Sequence, residues 1–292
     1  MSTLGIVQLL FVALAIVMFG LGLSLQVADF QRLLTEKRAV LVAIVLQMLV
    51  LPVAALLLAR AFDLTTPYAV GLMLLAAAPG SISSNLYSHI FGGNVALNMS
   101  LTGINTALSM FTLPLTCAWA LSYFSVGPDA MPSVAGKLLE TMATLVLPVV
   151  LGMTFRARAP RFAARADRPM RLFSVFVLVA FSLGAIAKEW AALAEGFTKA
   201  GVSVVVFNLL SLALGYLVSH AVMLKESSAI AITFQLGVRS AILSIYIAMT
   251  ALNNSQMALP AAVYSVTMVF FGVAFGLWVK RIRRFGAATA AA

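Results

Sequence analysis

A single cysteine, Cys117, denies this sequence an internal disulfide and a cysteine-rich metal site. The two histidines, His89 and His220, fall near the ends of predicted helices and share no metal-ligand spacing; they read as interfacial side chains. Charge is scarce: 10% of residues are Asp, Glu, Lys or Arg, against about 25% in soluble domains. An ordinary soluble fold is thereby excluded. The chain also lacks a His-Glu-x-x-His pair, paired intramembrane aspartates and a serine beside a usable base, which argues against an intramembrane enzyme. No basic residue precedes Arg32, so residues 4–25 have no positive leader region and are expected to be a retained span.

What the chain has in abundance is apolar sequence, 62% of 292 residues. Roughly 20 apolar residues cross a bilayer as a helix. Runs of that length predict an all-α polytopic membrane protein with about nine spans, near 4–25, 39–59, 66–91, 94–124, 134–155, 170–190, 200–222, 226–252 and 257–280. They form one transmembrane domain, 1–292. With an odd number of spans the termini lie on opposite sides. The side away from the C-terminus carries only Arg60, Lys137, Lys188 and Lys199; apart from Arg239, the rest of the 19 Lys and Arg residues lie on the C-terminal side. This asymmetry predicts an outside N-terminus and a cytoplasmic C-terminus in a bacterial inner membrane. The arginine-rich loop at 156–171 accordingly reads as a membrane anchor against lipid, with no nucleic-acid partner.

Two spans are interrupted at mid-depth. Residues 66–91 contain Pro79-Gly80-Ser81-Ile82-Ser83-Ser84-Asn85, and residues 226–252 contain Gln235-Leu236-Gly237-Val238-Arg239-Ser240. Paired broken helices at matching places in two halves of a chain point to a transporter site built from inverted repeats. Five spans follow the 124–134 loop and four precede it, so the first repeat lacks its opening helix. Arg239 is a full positive charge at bilayer depth, a placement that costs several kcal/mol and marks a functional residue. By contrast, Ser83, Ser100, Thr233 and Ser244 taken singly read as packing residues between helices, as do Gly20, Gly22 and Gly71. Glu140, the one acid that would dip below an interface, reads as an outer helix end beside Lys137.

The pattern Pro79-Gly80-x-x-x-Ser84-Asn85, then Gly93-Asn94-Val-Ala-Leu-Asn98-x-x-x-Thr102, then Thr-Leu-Pro114-Leu resembles the bile acid:sodium symporter family. Gln47 before Pro52, and Ala258-Leu-Pro260 through Ser265, extend the likeness over nearly the whole chain. The resemblance implies a core domain, about 39–124 and 200–280, that holds two crossed discontinuous helices. It also implies a panel domain, about 4–25, 134–155 and 170–190, that moves against the core for alternating access. It assigns a first sodium site to Ser84, Asn85, Asn98, Thr102 and Gln235, and a second to Gln47, Gln235, Val238 and Arg239.

At 235–240 the chain departs from that family's Glu-x-Gly-x-Gln-Asn pattern: a carboxylate becomes Gln235, an amide becomes the cation Arg239, and Ser240 replaces the asparagine. Sodium needs oxygen ligands and compensating negative charge. Two like charges about 4 Å apart repel by roughly 4 kcal/mol at an effective dielectric of 20. Sodium is thus expected to be excluded from the second site, with Arg239 donating to Gln47 and to carbonyls near Gln235 in its place. The first set keeps its oxygens and is expected to bind sodium weakly or stay dry, and no other cofactor is expected. Met268-Val269 stands where the family often has a His-Asn pair, so contacts made by that pair do not carry over. Cys117 lies too far along its helix to serve as the break thiol of the related arsenite carriers. The expected activity is secondary transport of an organic anion, bile-acid-like or a small carboxylate such as pantoate, without sodium. A sodium symporter using only the first site and a channel are the alternatives, and oligomeric state is left open.

Overall fold

A computed structural model of the chain describes residues 36–124, 150–159 and 190–290, with isolated residues at 15–23, 147–148 and 162–169. The expected spans near 4–25, 134–155 and 170–190, which make up the expected panel, therefore lie largely outside the described residues, as does Glu140. All regular elements among the described residues are helical. Eight are named here: α1 Lys37–Ala61, α2 Thr66–Ala77, α3 Ile82–Phe91, α4 Val95–Tyr123, α5 Trp190–Ala221, α6 Glu226–Gly237, α7 Ala241–Thr250 and α8 Leu259–Ala290. Three stretches, Lys37–Ala61, Phe197–Ala221 and Gln256–Arg283, are long and apolar enough to cross a membrane, and a bent pair within α4 makes a fourth. The protein is a multi-pass membrane protein.

Each half of the described chain runs long helix, short helix, short helix, long helix. The first short helices, α2 and α6, have 12 residues each, and the second, α3 and α7, have 10 each. The turns leading into α2 and α6 also match. Asp63 and Met223 both take positive φ (47° and 57°), and the surrounding backbone bonds repeat: Leu64 N to Ala59 O in one, Leu224 N to Ser219 O in the other.

Local chemistry explains where the helices bend and stop. In α1 the outward residues Leu41, Val45, Leu49, Val53 and Leu57 recur every four positions and are exposed, while Ala39, Ala43, Ala55 and Ala59 are buried. Small residues on the inner stripe let neighbouring backbones approach. A π turn over Leu46–Val50 precedes Pro52. Proline has no N–H and its ring clashes with the carbonyl four residues back, and the wider turn accommodates both. Gln47 sits in that turn. In α2, ten of the 12 residues are buried, as befits a helix that is apolar all round. Pro79 disfavours helical geometry at Ala78, which is extended (ψ 145°), and α2 ends there. The helix α3 closes on Gly92 at φ 78°, a left-handed position suited to glycine, and the side chain of Asn94 caps α4 by accepting from Leu97 N at 3.1 Å. A bend of 53° in α4 falls at residue 110, four positions before Pro114.

The first long helix of the second half is already helical at Trp190, the first described residue of this stretch and ten positions before the expected 200. The segment Trp190-Ala-Ala-Leu-Ala-Glu is built of good helix formers and contains no proline, so the helix continues where hydropathy alone suggested a link. The two halves interlock: α6 packs on α3 and α4, α8 on α2 and α3, and α1 on α5 and α6.

Candidate binding site at the helix crossing

The breaks between α2 and α3 and between α6 and α7 cross as a short antiparallel pair with Gly80 opposite Arg239. Ser81 N donates to Val238 O (2.8 Å) and Ser240 N to Pro79 O (3.0 Å). Interrupting a helix inside a membrane frees backbone groups that lipid cannot satisfy; here each break satisfies the other. The close approach explains glycine at position 80, since a Cβ there would overlap the Gln235 carboxamide.

Arg239 lies at the centre and is fully buried. Its Nη1 donates to the carbonyls of Leu75 (3.2 Å), Ala76 (2.7 Å) and Ala78 (2.7 Å), its Nε to Leu236 O (3.0 Å) and its Nη2 to Gln47 Oε1 (2.9 Å). The guanidinium carbon also stands 5.8 Å from the Phe207 ring centroid. Leu75 to Ala78 form the C-terminal end of α2, and Leu236 lies in the last turn of α6. Each helix C-terminus carries roughly half a negative charge. Two converging ends amount to about one charge, which balances the guanidinium without a carboxylate.

Gln47 fixes the arrangement from α1, because its Nε2 donates to Ala78 O at 2.8 Å while its Oε1 accepts from Arg239. Val238 contributes no side-chain ligand; its carbonyl accepts from Ser81 N. Gln47 Oε1 and Val238 O are thus both engaged by protein N–H groups, with the Arg239 guanidinium as the cation among these oxygens.

The first set gathers beside it. Ser84 Oγ lies 3.0 Å from both Asn98 Oδ1 and Gln235 Oε1, and Thr102 Oγ1 lies 2.9 Å from Asn98 O and from Gln235 Oε1. Asn98 Nδ2 donates to Ser84 O (3.1 Å) and to Ser88 Oγ (2.5 Å). Asn85 is buried next to this cluster in sequence but its Oδ1 has no hydrogen-bond partner, and Ser244 on α7 is likewise buried with an unpaired hydroxyl. Ser240 opens α7 without a side-chain cap bond. The N-termini of α3 and α7 therefore present partial positive charge near two unpaired polar side chains.

Three residues that sequence reasoning passed over complete the crossing. Asn208 on α5 donates to Gly237 O (3.1 Å), as does the hydroxyl of Tyr264 on α8 (2.8 Å), and Ser88 anchors Asn98. A signal for Asn208 existed: it occupies nearly the same place in the second half that Gln47 occupies in the first, and both donate a carboxamide N–H to the end of a first short helix. The hydroxyls of Ser100 and Thr233 bond to their own helices at Ala96 O and Ala229 O, in keeping with a packing role.

Curated relatives align along most of the chain. The sequence is 28% identical over 276 residues to "Probable sodium/metabolite cotransporter BASS1, chloroplastic" of Arabidopsis thaliana, covering 91% of this chain and 66% of the relative. It is 27% identical over 271 residues to "Probable sodium/metabolite cotransporter BASS2, chloroplastic" of Oryza sativa subsp. japonica, covering 92% and 64%. The chain thus spans just under two thirds of these plant relatives. It is 26% identical over 273 residues to "Uncharacterized sodium-dependent transporter YocS" of Bacillus subtilis, covering 93% and 83%. A sequence model of the Sodium Bile acid symporter family matches residues 11–195, more than half of the 292, and the chain belongs to that family.

Proposed function

We propose that this protein is a secondary transporter, not an enzyme, that carries an organic anion across a bacterial inner membrane by alternating access and without sodium. The observation that carries the sodium-independent part is Arg239: a permanent cation takes the oxygen lone pairs that an ion at the second site would need. Its charge compensates the two helix C-termini in every state of the cycle in which the crossing stays intact. An added sodium would meet like-charge repulsion of roughly 4 kcal/mol at about 4 Å and an effective dielectric of 20.

The anion preference rests on the other side of the crossing. The N-termini of α3 and α7 bring partial positive charge toward a carboxylate or sulfonate, and the unpaired hydroxyl of Ser244 can donate to it. Bile-acid-like amphipaths and small hydroxy acids such as pantoate both supply that headgroup. In this reading the matched halves are inverted repeats of a nine-span fold, the core moves against a panel of the first, fifth and sixth spans, and the C-terminus is cytoplasmic. A thermal-shift screen of organic anions, run in sodium and in potassium, tests the proposal. At least one carboxylate or sulfonate is expected to stabilise the protein equally in both salts; stabilisation confined to sodium would overturn it.

A second reading, sodium symport through the first set alone, draws on the sodium-coupled transport for which the relatives are named and on the oxygens gathered around Ser84, Asn98 and Thr102. It requires the atom that Gln235 turns toward that cluster to be an oxygen.

A further inference from the structure

The hydrogen count around Gln235 decides which of its atoms faces the cluster. Asn98 Nδ2 bonds Ser84 O, a carbonyl that can only accept, so Asn98 Oδ1 is the atom facing Ser84 Oγ at 3.0 Å. That contact needs the single hydroxyl hydrogen of Ser84. By the same logic Thr102 must give its only hydrogen to the carbonyl of Asn98, 2.9 Å away. Both hydroxyls then face Gln235 as acceptors, at 3.0 and 2.9 Å. With Oε1 inward, two of these four contacts have no hydrogen, and Gln235 Nε2 is buried with no partner at all. A carboxamide keeps its shape when O and N exchange, and hydrogen bonding decides between them. Exchanging them supplies a hydrogen to every one of the four contacts and leaves only a carbonyl under-used, a lesser cost than a buried orphan N–H.

We infer that Gln235 holds its Nε2 inward, donating to Ser84 Oγ and Thr102 Oγ1, and that this amide fills the first site as Arg239 fills the second. A glutamate here would set carboxylate oxygens against two hydroxyl acceptors and would need a cation between them. A glutamine brings the positive end of its own dipole. Gln235 is therefore a positioning residue that removes the ion requirement of the first site, holding α3, α4 and α6 together in the ion's absence. The inference deepens the sodium-independent reading and rests on it for its functional meaning.

The test is melting of the full-length purified protein in sodium chloride against potassium chloride at equal ionic strength. The wild type is expected to melt at the same temperature in both. Gln235→Glu is expected to melt lower in potassium and to gain roughly 5 °C or more in sodium, a gain that Thr102→Val in the same background abolishes. A merely structural role would not produce a sodium-specific response. A Gln235→Glu protein that folds but ignores sodium overturns the inference. Should that variant fail to fold, the wild type decides: a sodium-induced rise that Thr102→Val or Ser84→Ala removes overturns the inference, and identical melting in both salts upholds it. A wild-type rise removed instead by Gln47→Leu would overturn the reading of Arg239 and leave Gln235 standing.

Discussion

Replacing Arg239 with leucine removes the charge and the fork while keeping an apolar side chain at the crossing, and the cost can be worked bond by bond. Of the five acceptors, Ala78 O keeps the amide of Gln47 and Leu75 O keeps the N–H of Ala78 at 3.2 Å. Gln47 Oε1, Ala76 O and Leu236 O lose the hydrogen bond that Arg239 gives them. A buried polar group stripped of its partner costs about 1–3 kcal/mol. Against this, the leucine variant no longer has to bury a guanidinium, which recovers part of a desolvation penalty of several kcal/mol. The two helix C-termini, however, are then left facing each other uncompensated, at about 0.3–1 kcal/mol each or more when buried. With three acceptors stripped, the net expectation is a loss of roughly 3–6 kcal/mol, or a fall in melting temperature of about 6–24 °C at 2–4 °C per kcal/mol. Differential scanning fluorimetry of the purified variant measures it. A melting temperature within 1 °C of wild type would refute the claim that the guanidinium joins the two C-termini.

Other expectations follow from the same geometry. Arg239→Gln combined with Gln235→Glu restores the family's charge pattern at both positions and is expected to make stability sodium-dependent by several degrees, read by the same fluorimetry; no response in the double variant would count against the ion-replacement idea. Gly80→Ala is expected to push the Gln235 amide aside and to abolish uptake even where protein is recovered, and full activity would contradict the close approach of the two breaks. Glu36 holds Asn94 Nδ2 and Ser228 Oγ, both at 2.9 Å, tying the start of α4 to the start of α6. Glu36→Ala is expected to cost about 1–3 kcal/mol in denaturant or thermal unfolding. Reporter fusions at the C-terminus are expected to be active only in the cytoplasm, and periplasmic activity would reverse the predicted orientation.

Much of the crossing is legible in the sequence. Pro79 and the Gly237-Val238-Arg239 stretch stood out as breaks because proline and glycine act on the backbone locally, and both breaks fall where expected. The residues taken from the family pattern also come together: Gln47 with Arg239, and Ser84, Asn98 and Thr102 with Gln235. Partner choice was less legible. That Arg239 reaches the carbonyls of α2 as well as those near Gln235 depends on the antiparallel pairing of the two breaks, a long-range contact that no periodicity encodes. Asn208 and Tyr264 were hidden in long apolar helices whose hydropathy registers only membrane depth, and the role of Asn208 appears once the two halves are set side by side and it falls opposite Gln47. That α5 is helical ahead of residue 200 was missed because charged Lys199 looked like a loop residue, although a helix near an interface tolerates lysine as readily.

In the proposed mechanism the protein's own N–H groups stand where sodium would otherwise bind. Uptake by proteoliposomes of labelled taurocholate and of labelled pantoate, with sodium or potassium as the sole external cation, tests it most directly. Saturable uptake of at least one of these anions is expected at the same rate in either salt. Uptake that falls to background when potassium replaces sodium would contradict it.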